Sequence, residues 1–276
     1  IRPIAGRNGW ISKSTALNTM YKTNSSENLT LRSTVEPIKQ FKIELSANRT
    51  ASTNNTEYYR WDEDIDNFNT FSPIESGSFS ISFISFWTAF RSDEDGDESR
   101  TFQNFRHYRK EIAQQLAANN PNFNAEIDPN KYPTEYENND TILTGGYGPT
   151  SQEVMIPAFL AAYSGRDPSN SKLTAFPKFP LPNWRITYDG FIKIPFIKKR
   201  FKQFTLSHAY RSSYVVGSYQ TNLNYGDGDE ININNMSYHV ARDISQVTIN
   251  EQFSPLFKVD MTWKNSLLTK VEFKKS

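Results

Sequence analysis

The sequence predicts an all-β dominated fold, specifically an arc of a very large antiparallel transmembrane β-barrel that is interrupted by an inserted helix and loop region. Apolar and polar residues alternate over several stretches, and aromatic residues make up 14% of a chain whose hydrophobic total is only 37%. No cysteine is present to stabilise an exported domain. A barrel strand turns only every second side chain to lipid, so a polar average composition is compatible with a membrane. We expect barrel strands in 1–90, an insertion in 91–183, and barrel strands in 184–276.

Two β-hairpins carry the clearest alternation. In the first, residues 29–35 and 41–48 are apolar at almost every second position, and Glu36-Pro37 begins the turn because proline cannot donate to a sheet ladder. In the second, residues 257–263 and 269–273 alternate around a polar turn. Successive strand side chains point to opposite faces, so each hairpin has one apolar face and one polar face.

Weaker patterns predict further strands. Phe79, Ile81 and Phe83 alternate with serines, and the slip in phase at Ile84 predicts a bulge before Phe86-Trp87. The remaining predicted strands cover 10–21, 184–188, 204–225 and 247–251.

The middle of the chain has a helical pattern. Apolar residues at helical spacing predict one helix over 100–119. A second helix is predicted over 151–163, with Ser151 as its N-cap and Gly165 as its stop. A long excursion of this kind in a barrel is typically a loop domain, so 91–183 is a candidate cap, gate or plug.

The alternation assigns side chains to the two faces of the predicted wall. The side chains expected to face lipid are Phe41, Ile43, Leu45, Phe257, Val259, Met261, Trp263, Val271 and Phe273. The side chains expected to face the lumen are Lys42, Glu44, Lys258, Asp260, Lys270 and Glu272. Mixed charges in a wide hydrated lumen suit a passive conduit that does not hold its cargo tightly.

The residue inventory argues against an enzyme, a metal site, a cofactor and a nucleic-acid partner. The chain has no cysteine, no nucleophile or phosphate-loop motif, and only three histidines, at positions too far apart in sequence for a zinc motif. Its 31 Lys and Arg balance 30 Asp and Glu, which does not suit phosphate neutralisation. Acidic clusters at 62–66, 93–98 and 227–230 predict solvated loop tips, because an EF-hand register starting at Asp93 lacks the required Gly and Glu.

A basic stretch with interleaved aromatic residues covers 192–202 (IKIPFIKKRFK). Two interpretations are open. Its Lys and Arg could contact lipid headgroups while Phe196 and Phe201 lie in the membrane interface. It could equally be a solvated turn between two strands.

Several segments resemble, in the same order, the SprA/Sov family of outer-membrane translocons of the type 9 secretion system. They include FPLPNWRITYDG at 179–190 and FTLSHAYRSSYVVGSYQTN at 204–222, together with 2–19, 35–50, 154–165 and 247–264. The resemblance implies one arc of a single-chain barrel of about 36 strands in the cell outer membrane of Bacteroidetes-type bacteria. Its implied function is to export folded cargo with a C-terminal sorting domain to the cell surface, in secretion and gliding motility.

The resemblance also implies partners. These are the remainder of the same barrel, a shuttle-type outer-membrane barrel protein, a periplasmic plug protein, accessory lipoproteins, the secreted cargo and outer-membrane lipid. Because a family member is far longer than 276 residues, we expect this chain to be a fragment of a larger chain. The alternative from the residues alone is a soluble or surface-attached β-rich module that binds a glycan or a protein.

Overall fold

The computed structural model describes residues 2–90, 99–120, 146–226, 231–232 and 237–276, and the backbone of 135–136 and 140–141. The strands are β1 (Met20–Ile38), β2 (Phe41–Asp62), β3 (Asn67–Ser82), β4 (Glu135–Tyr136), β5 (Asp140–Thr141), β6 (Asn183–Tyr188), β7 (Phe201–Thr221), β8 (Ile231–Asn232), β9 (Ser237–Tyr238), β10 (Arg242–Ile244), β11 (Val247–Trp263) and β12 (Leu268–Lys275). The α-helices are α1 (Arg2–Arg7), α2 (Arg100–Asn119), α3 (Gln152–Ser164) and α4 (Pro195–Arg200).

One antiparallel sheet of eight strands dominates the described residues, as the sequence predicts at the level of fold class. Its main path is β1-β2-β3-β7-β11-β12, and β10 pairs with β7. The short strand β6 also pairs with both β2 and β7. It does so beyond the point where β3 ends, so β3 and β6 lie end to end in a single strand position between β2 and β7.

The sheet has two distinct ends. We call one the rim end, which carries the β1–β2 turn at 39–40, the connection at 189–200 that contains α4, and the β11–β12 turn at 264–267. The far end carries the β2–β3 turn at 63–66 and the longer connection from β7 towards β11. The sheet also has two sides, which we call the Leu45 face and the Glu44 face after two consecutive residues of β2.

The two predicted hairpins and the two predicted helices are confirmed. Met20–Ile38 pairs with Phe41–Asp62, and Val247–Trp263 pairs with Leu268–Lys275, both antiparallel. The helix α3 begins after Ser151 and ends at Gly165, whose φ of 66° lies in the left-handed region that favours glycine. The acidic cluster at 62–66 is the β2–β3 turn, whereas 93–98 and 227–230 lie outside the described residues.

Three strand predictions are wrong in detail. Residues 10–19 form no strand, and β1 begins only at Met20. No bulge occurs at Ile84, because β3 ends at Ser82 and the chain leaves the sheet after Phe83 donates its N–H to the Ser212 carbonyl. The chain therefore leaves the sheet after Phe83, and 84–90 form no strand. The patterns at 247–251 and 257–263 belong to one strand, β11, which has a register shift between Phe253 and Lys258.

The inserted helices pack on the Leu45 face, in the half of the sheet nearer the far end. Their core joins Ile156 and Leu160 of α3 to sheet side chains that include Phe79, Ile81 and Tyr214. A second cluster packs Ala113 and Ala117 of α2 with α3 and with residues near β9. Burial there raises the pKa of Tyr147 to about 12, so this phenol stays neutral. No described helix is both long and apolar enough to span a membrane.

Candidate functional site

The nine side chains expected to face lipid all lie on the Leu45 face. Strand register establishes this, because directly paired residues of antiparallel strands share a face. Leu45 pairs with Trp184, and Trp184 pairs with Tyr210 in β7. Further along β7, Leu206 pairs with Val259, which pairs in turn with Val271. The same register places Ile186, Tyr188, Phe204 and Leu206 beside them.

These apolar side chains are exposed or partly exposed, and Phe191 of the rim connection packs against Tyr188 and Phe204. Val271 is 47% exposed, Phe273 51%, and Ile38 of β1 61%. We call this surface the apolar band; it comprises Leu29, Leu31, Val35, Ile38, Phe41, Ile43, Leu45, Ile186, Tyr188, Phe204, Leu206, Phe257, Val259, Met261, Trp263, Val271 and Phe273. A monomer in water rarely exposes a contiguous apolar patch of more than a few hundred Å².

The height of the apolar band suits a bilayer. Leu29 and Ile38 are nine residues apart on β1, which corresponds to about 30 Å of strand at roughly 3.3 Å per residue. At the strand tilt of about 35–45° found in barrels, this length spans about 23 Å, close to the apolar belt of about 25 Å in outer-membrane barrels. Towards the far end the Leu45 face becomes polar, and Arg49 pairs with Glu27 there at 3.1 Å.

Two polar groups in or beside the apolar band bond to neighbouring protein groups. The Nδ1 atom of His208 lies 2.6 Å from the carbonyl oxygen of Leu256. The indole Nε1–H of Trp263 donates to Thr269 Oγ1 at 2.9 Å. In hydrocarbon an unpaired polar group costs several kcal/mol, so such internal pairing is what a lipid-facing surface requires.

A continuous chain of aromatic rings crosses the sheet where the apolar band meets the rim end. It runs Phe41, Tyr188, Phe191, Phe204, Phe201 and Trp263, with successive ring centroids 6.0, 4.7, 5.7, 5.7 and 4.4 Å apart. It connects β2 to β11 across four strands. Aromatic girdles of this kind mark the membrane–water interfaces of barrels.

The six side chains expected to face the lumen lie on the Glu44 face. Lys258 is directly opposite Glu272, and Asp260 is directly opposite Lys270. Pairing also runs along the strands: Lys42 bonds to Glu44, and Lys258 Nζ lies 2.7 Å from Asp260 Oδ2. Positive and negative groups therefore compensate one another across this wall.

Two solvent-filled depressions lie on the Glu44 face. The first, of about 580 Å³, is lined by Arg32, Glu44, Arg185, Arg211 and Gln252, which come from five neighbouring strands. The second, of about 630 Å³ and nearer the far end, is lined by Ser52, Asn54, Ser76 and Gln220 among others. The Glu44 face is therefore lined by polar and charged side chains from neighbouring strands.

A buried hydrogen-bond network holds the start of the insertion on the Leu45 face. The Tyr210 hydroxyl accepts from Ser85 N at 2.9 Å and donates to Glu251 Oε1 at 2.7 Å. Ser85 Oγ donates to the same carboxylate oxygen at 2.8 Å and lies 3.1 Å from Ser212 Oγ. Sequence reasoning missed this network, although Glu251 occupies an apolar phase between Ile249 and Phe253 and could have marked it.

The described residues form an apolar surface on one face of the sheet and a charged surface on the other. Among them we find no arrangement of side chains typical of a catalytic site. Among them, no group of three or more His, Asp or Glu side chains is placed to hold a metal ion. No protein-family model matches the chain, and a search of curated proteins finds no significant match.

Proposed function

We propose that this chain is one arc of the wall of a protein-conducting outer-membrane pore that exports folded proteins from periplasm to cell surface. One observation carries the proposal: a single antiparallel sheet has an exposed apolar band on one side and a charge-compensated wall on the other. That combination is what a water-filled barrel requires, since lipid lies outside and hydrated cargo passes inside.

The free edges of the sheet support a barrel larger than this chain. Among the described strands, the main path ends at β1 on one side and at β12 on the other. An unpaired strand edge in lipid leaves backbone N–H and C=O groups without partners, at a cost of several kcal/mol for each group. Both edges therefore require neighbouring strands, which we assign to the remainder of the same barrel.

Resemblance to the SprA/Sov family supports the assignment to type 9 secretion. The proposed partners follow from it: a shuttle-type barrel protein, a periplasmic plug protein, accessory lipoproteins and cargo with a C-terminal sorting domain. In this proposal the chain is not an enzyme but a passive conduit. Its paired charges keep the wall polar, hydrated and weakly binding.

The inserted helices take an accessory role in this proposal. Helix α3 packs on the Leu45 face beyond the apolar band, on the opposite side of the sheet from the charged wall. A plug that fills the lumen would have to lie against the Glu44 face. The described part of the insertion is therefore better suited to be a cap or docking module on the outer surface than a plug.

A pair of arginine substitutions tests the proposed facing. Leu206 and Thr205 are consecutive residues of β7 at the same depth, with side chains on opposite faces. Arginine at position 206 should cost about 1–4 kcal/mol, because its charge would lie in lipid, where the cost rises from the interface towards the midplane. Arginine at position 205 would lie in water near Asp260. We expect Leu206→Arg to lower the amount of protease-resistant protein in carbonate-washed outer membranes and Thr205→Arg to leave it unchanged.

Two outcomes would contradict the proposal. Equal assembly of both variants would mean that neither face meets lipid. Recovery of the wild-type protein in the soluble fraction, folded without detergent, would instead support the alternative of a soluble β-rich binding module whose apolar band is covered by a partner.

A further inference from the structure

The connections at the rim end concentrate positive charge. Residues 39–40, 189–202 and 264–267 contain seven Lys and Arg side chains and a single carboxylate, Asp189. The cations are Lys39, Lys193, Lys198, Lys199, Arg200, Lys202 and Lys264. At the far end, the turn at 63–66 contains three carboxylates and no cation. The β2–β3 turn at the far end therefore has a charge opposite to that of the rim connections.

Main-chain and side-chain contacts join the three rim connections into one platform. Asp189 N donates to the Gln40 carbonyl at 3.1 Å, and Lys264 N donates to the Arg200 carbonyl at 3.0 Å. Lys202 Nζ donates to Ser266 Oγ at 2.6 Å. The basic residues thus share one edge of the sheet, although they come from three separate parts of the sequence.

These cations are available to an external anion. Among the described residues, no carboxylate lies within ion-pair distance of any of the seven, and the nearby Glu36 accepts the Gln40 N–H. Lys198 and Lys199 are exposed on α4. Beside them Phe196 is 63% exposed and stacks under the Arg200 guanidinium, 4.6 Å from ring centroid to Cζ.

We propose that this platform binds the phosphate-bearing headgroups of anionic glycerophospholipids in the periplasmic leaflet; the inference rests on the proposed function. Basic side chains directly beside an aromatic ring chain and an apolar band match the order of layers from headgroup to acyl chain. Phe196 and Ile194 would lie at the headgroup boundary, while α4 places its lysines among the phosphates.

The choice of leaflet follows from the shape of the two ends. In outer-membrane barrels the periplasmic turns are short and the extracellular parts are long. Two of the three connections at the rim end are turns of two and four residues, the third has twelve residues, and all three begin directly below the apolar band. Towards the far end β2 continues for more than a dozen residues beyond Leu45, and the insertion packs there. The rim end is therefore the periplasmic end.

Native mass spectrometry of the complete barrel protein in detergent tests the proposal with two matched variants. Lys198→Ala/Lys199→Ala removes two rim charges, and Lys22→Ala/Lys178→Ala removes two exposed charges elsewhere. The probes are phosphatidylglycerol, phosphatidylcholine, lipid A and inorganic phosphate.

A basic residue near an anionic lipid surface strengthens binding about fivefold, so we expect the rim variant to lose on the order of thirtyfold in affinity for phosphatidylglycerol at low salt. The control variant should bind phosphatidylglycerol like the wild type.

Each probe has a defined outcome. Unchanged phosphatidylglycerol binding by the rim variant would overturn the proposal, as would an equal loss for phosphatidylcholine. A loss of binding confined to lipid A would overturn the assignment to the periplasmic leaflet. Displacement of phosphatidylglycerol by low concentrations of inorganic phosphate would overturn the proposal in favour of a site for a soluble anion. If Leu206→Arg blocks assembly while the rim variant keeps its lipid, only this inference fails; if Leu206→Arg assembles normally, the proposed function fails.

Discussion

Tyr210 and Tyr214 lie four residues apart on the Leu45 face of β7, and their hydroxyl groups have different surroundings. Both are almost completely buried, with exposed fractions of 1% and 0%. The Tyr210 hydroxyl bonds to Ser85 and Glu251, whereas the Tyr214 hydroxyl has no hydrogen-bond partner in the described structure. Comparing the two tyrosines therefore distinguishes the contribution of a hydroxyl group to stability from that of an aromatic ring.

Replacing these tyrosines by phenylalanine should give opposite results. Tyr210→Phe leaves the Ser85 N–H and the Glu251 carboxylate short of a partner, which costs about 1–3 kcal/mol. We expect amide hydrogen exchange in 83–90 to become about tenfold faster or more. Tyr214→Phe removes an unpaired buried hydroxyl and should leave exchange unchanged or slower. Equal acceleration by both variants would show that the network does not hold the insertion on the sheet.

At the scale of elements, close approach between strands depends on Gly77 of β3. A Cβ atom placed there would lie 2.1 Å from the Ser52 carbonyl oxygen and 2.7 Å from the Tyr219 hydroxyl oxygen. The carbonyl belongs to the main chain of β2, so relief would require the strands to move apart. The ring of Tyr219 occupies the space left by the missing side chain.

Gly77→Ala should therefore loosen the far half of the sheet. We expect a loss of stability of about 1–3 kcal/mol, as for other overpacked sites, measured as faster trypsin cleavage after Arg49 and Arg60 of β2. Ser78→Ala is the matched control, because Ser78 is exposed on the Glu44 face and should tolerate the change. Cleavage at wild-type rates in Gly77→Ala would contradict the tight approach.

The elements that could be predicted from sequence are those whose signals are local. Alternation marks both hairpins, and Ser151 and Gly165 mark the ends of α3 within one or two residues. The same alternation separates the two faces of the wall. The exit at Phe83 and the joint position of β3 and β6 could not be predicted, because they depend on registers between strands distant in sequence. The position of the insertion on the sheet depends on the same long-range pairing.

At the scale of the whole molecule, the sheet is layered along its strands. The basic rim comes first, followed by the aromatic ring chain, the apolar band, and the polar far half covered by the insertion on one side. Each layer recruits residues from strands on both sides of the insertion, so the layers form only when the complete sheet assembles. The lipid facing and orientation in the proposed function therefore depend on the assembled sheet, and no single hairpin determines them.

Because β3 and β6 lie end to end between β2 and β7, removal of the insertion could join them into one uninterrupted strand. Ile81 pairs with Arg49 and Asn183 with Ser46, so β2 has two residues between these partners. On β7, Ser82 pairs with Ser213 and Trp184 with Tyr210, again with two residues between. The registers with β2 and with β7 therefore agree that 99 residues must be removed to join the two strands. Joining Phe83 directly to Asn183 keeps every side chain of β6 on its present face of the sheet.

Under the proposed function, a chain lacking 84–182 should still assemble in the outer membrane, at close to the wild-type amount of protease-resistant protein. Deleting 83–182 removes one residue more and is the control, because a slip of one residue turns every side chain of β6 to the other face. Trp184, Ile186 and Tyr188 would then face the charged wall, and assembly should fail. Assembly of both deletions to the same level would contradict the register. The insertion is thus an addition to a wall that is complete without it, and this strand is a place where other modules could be grafted.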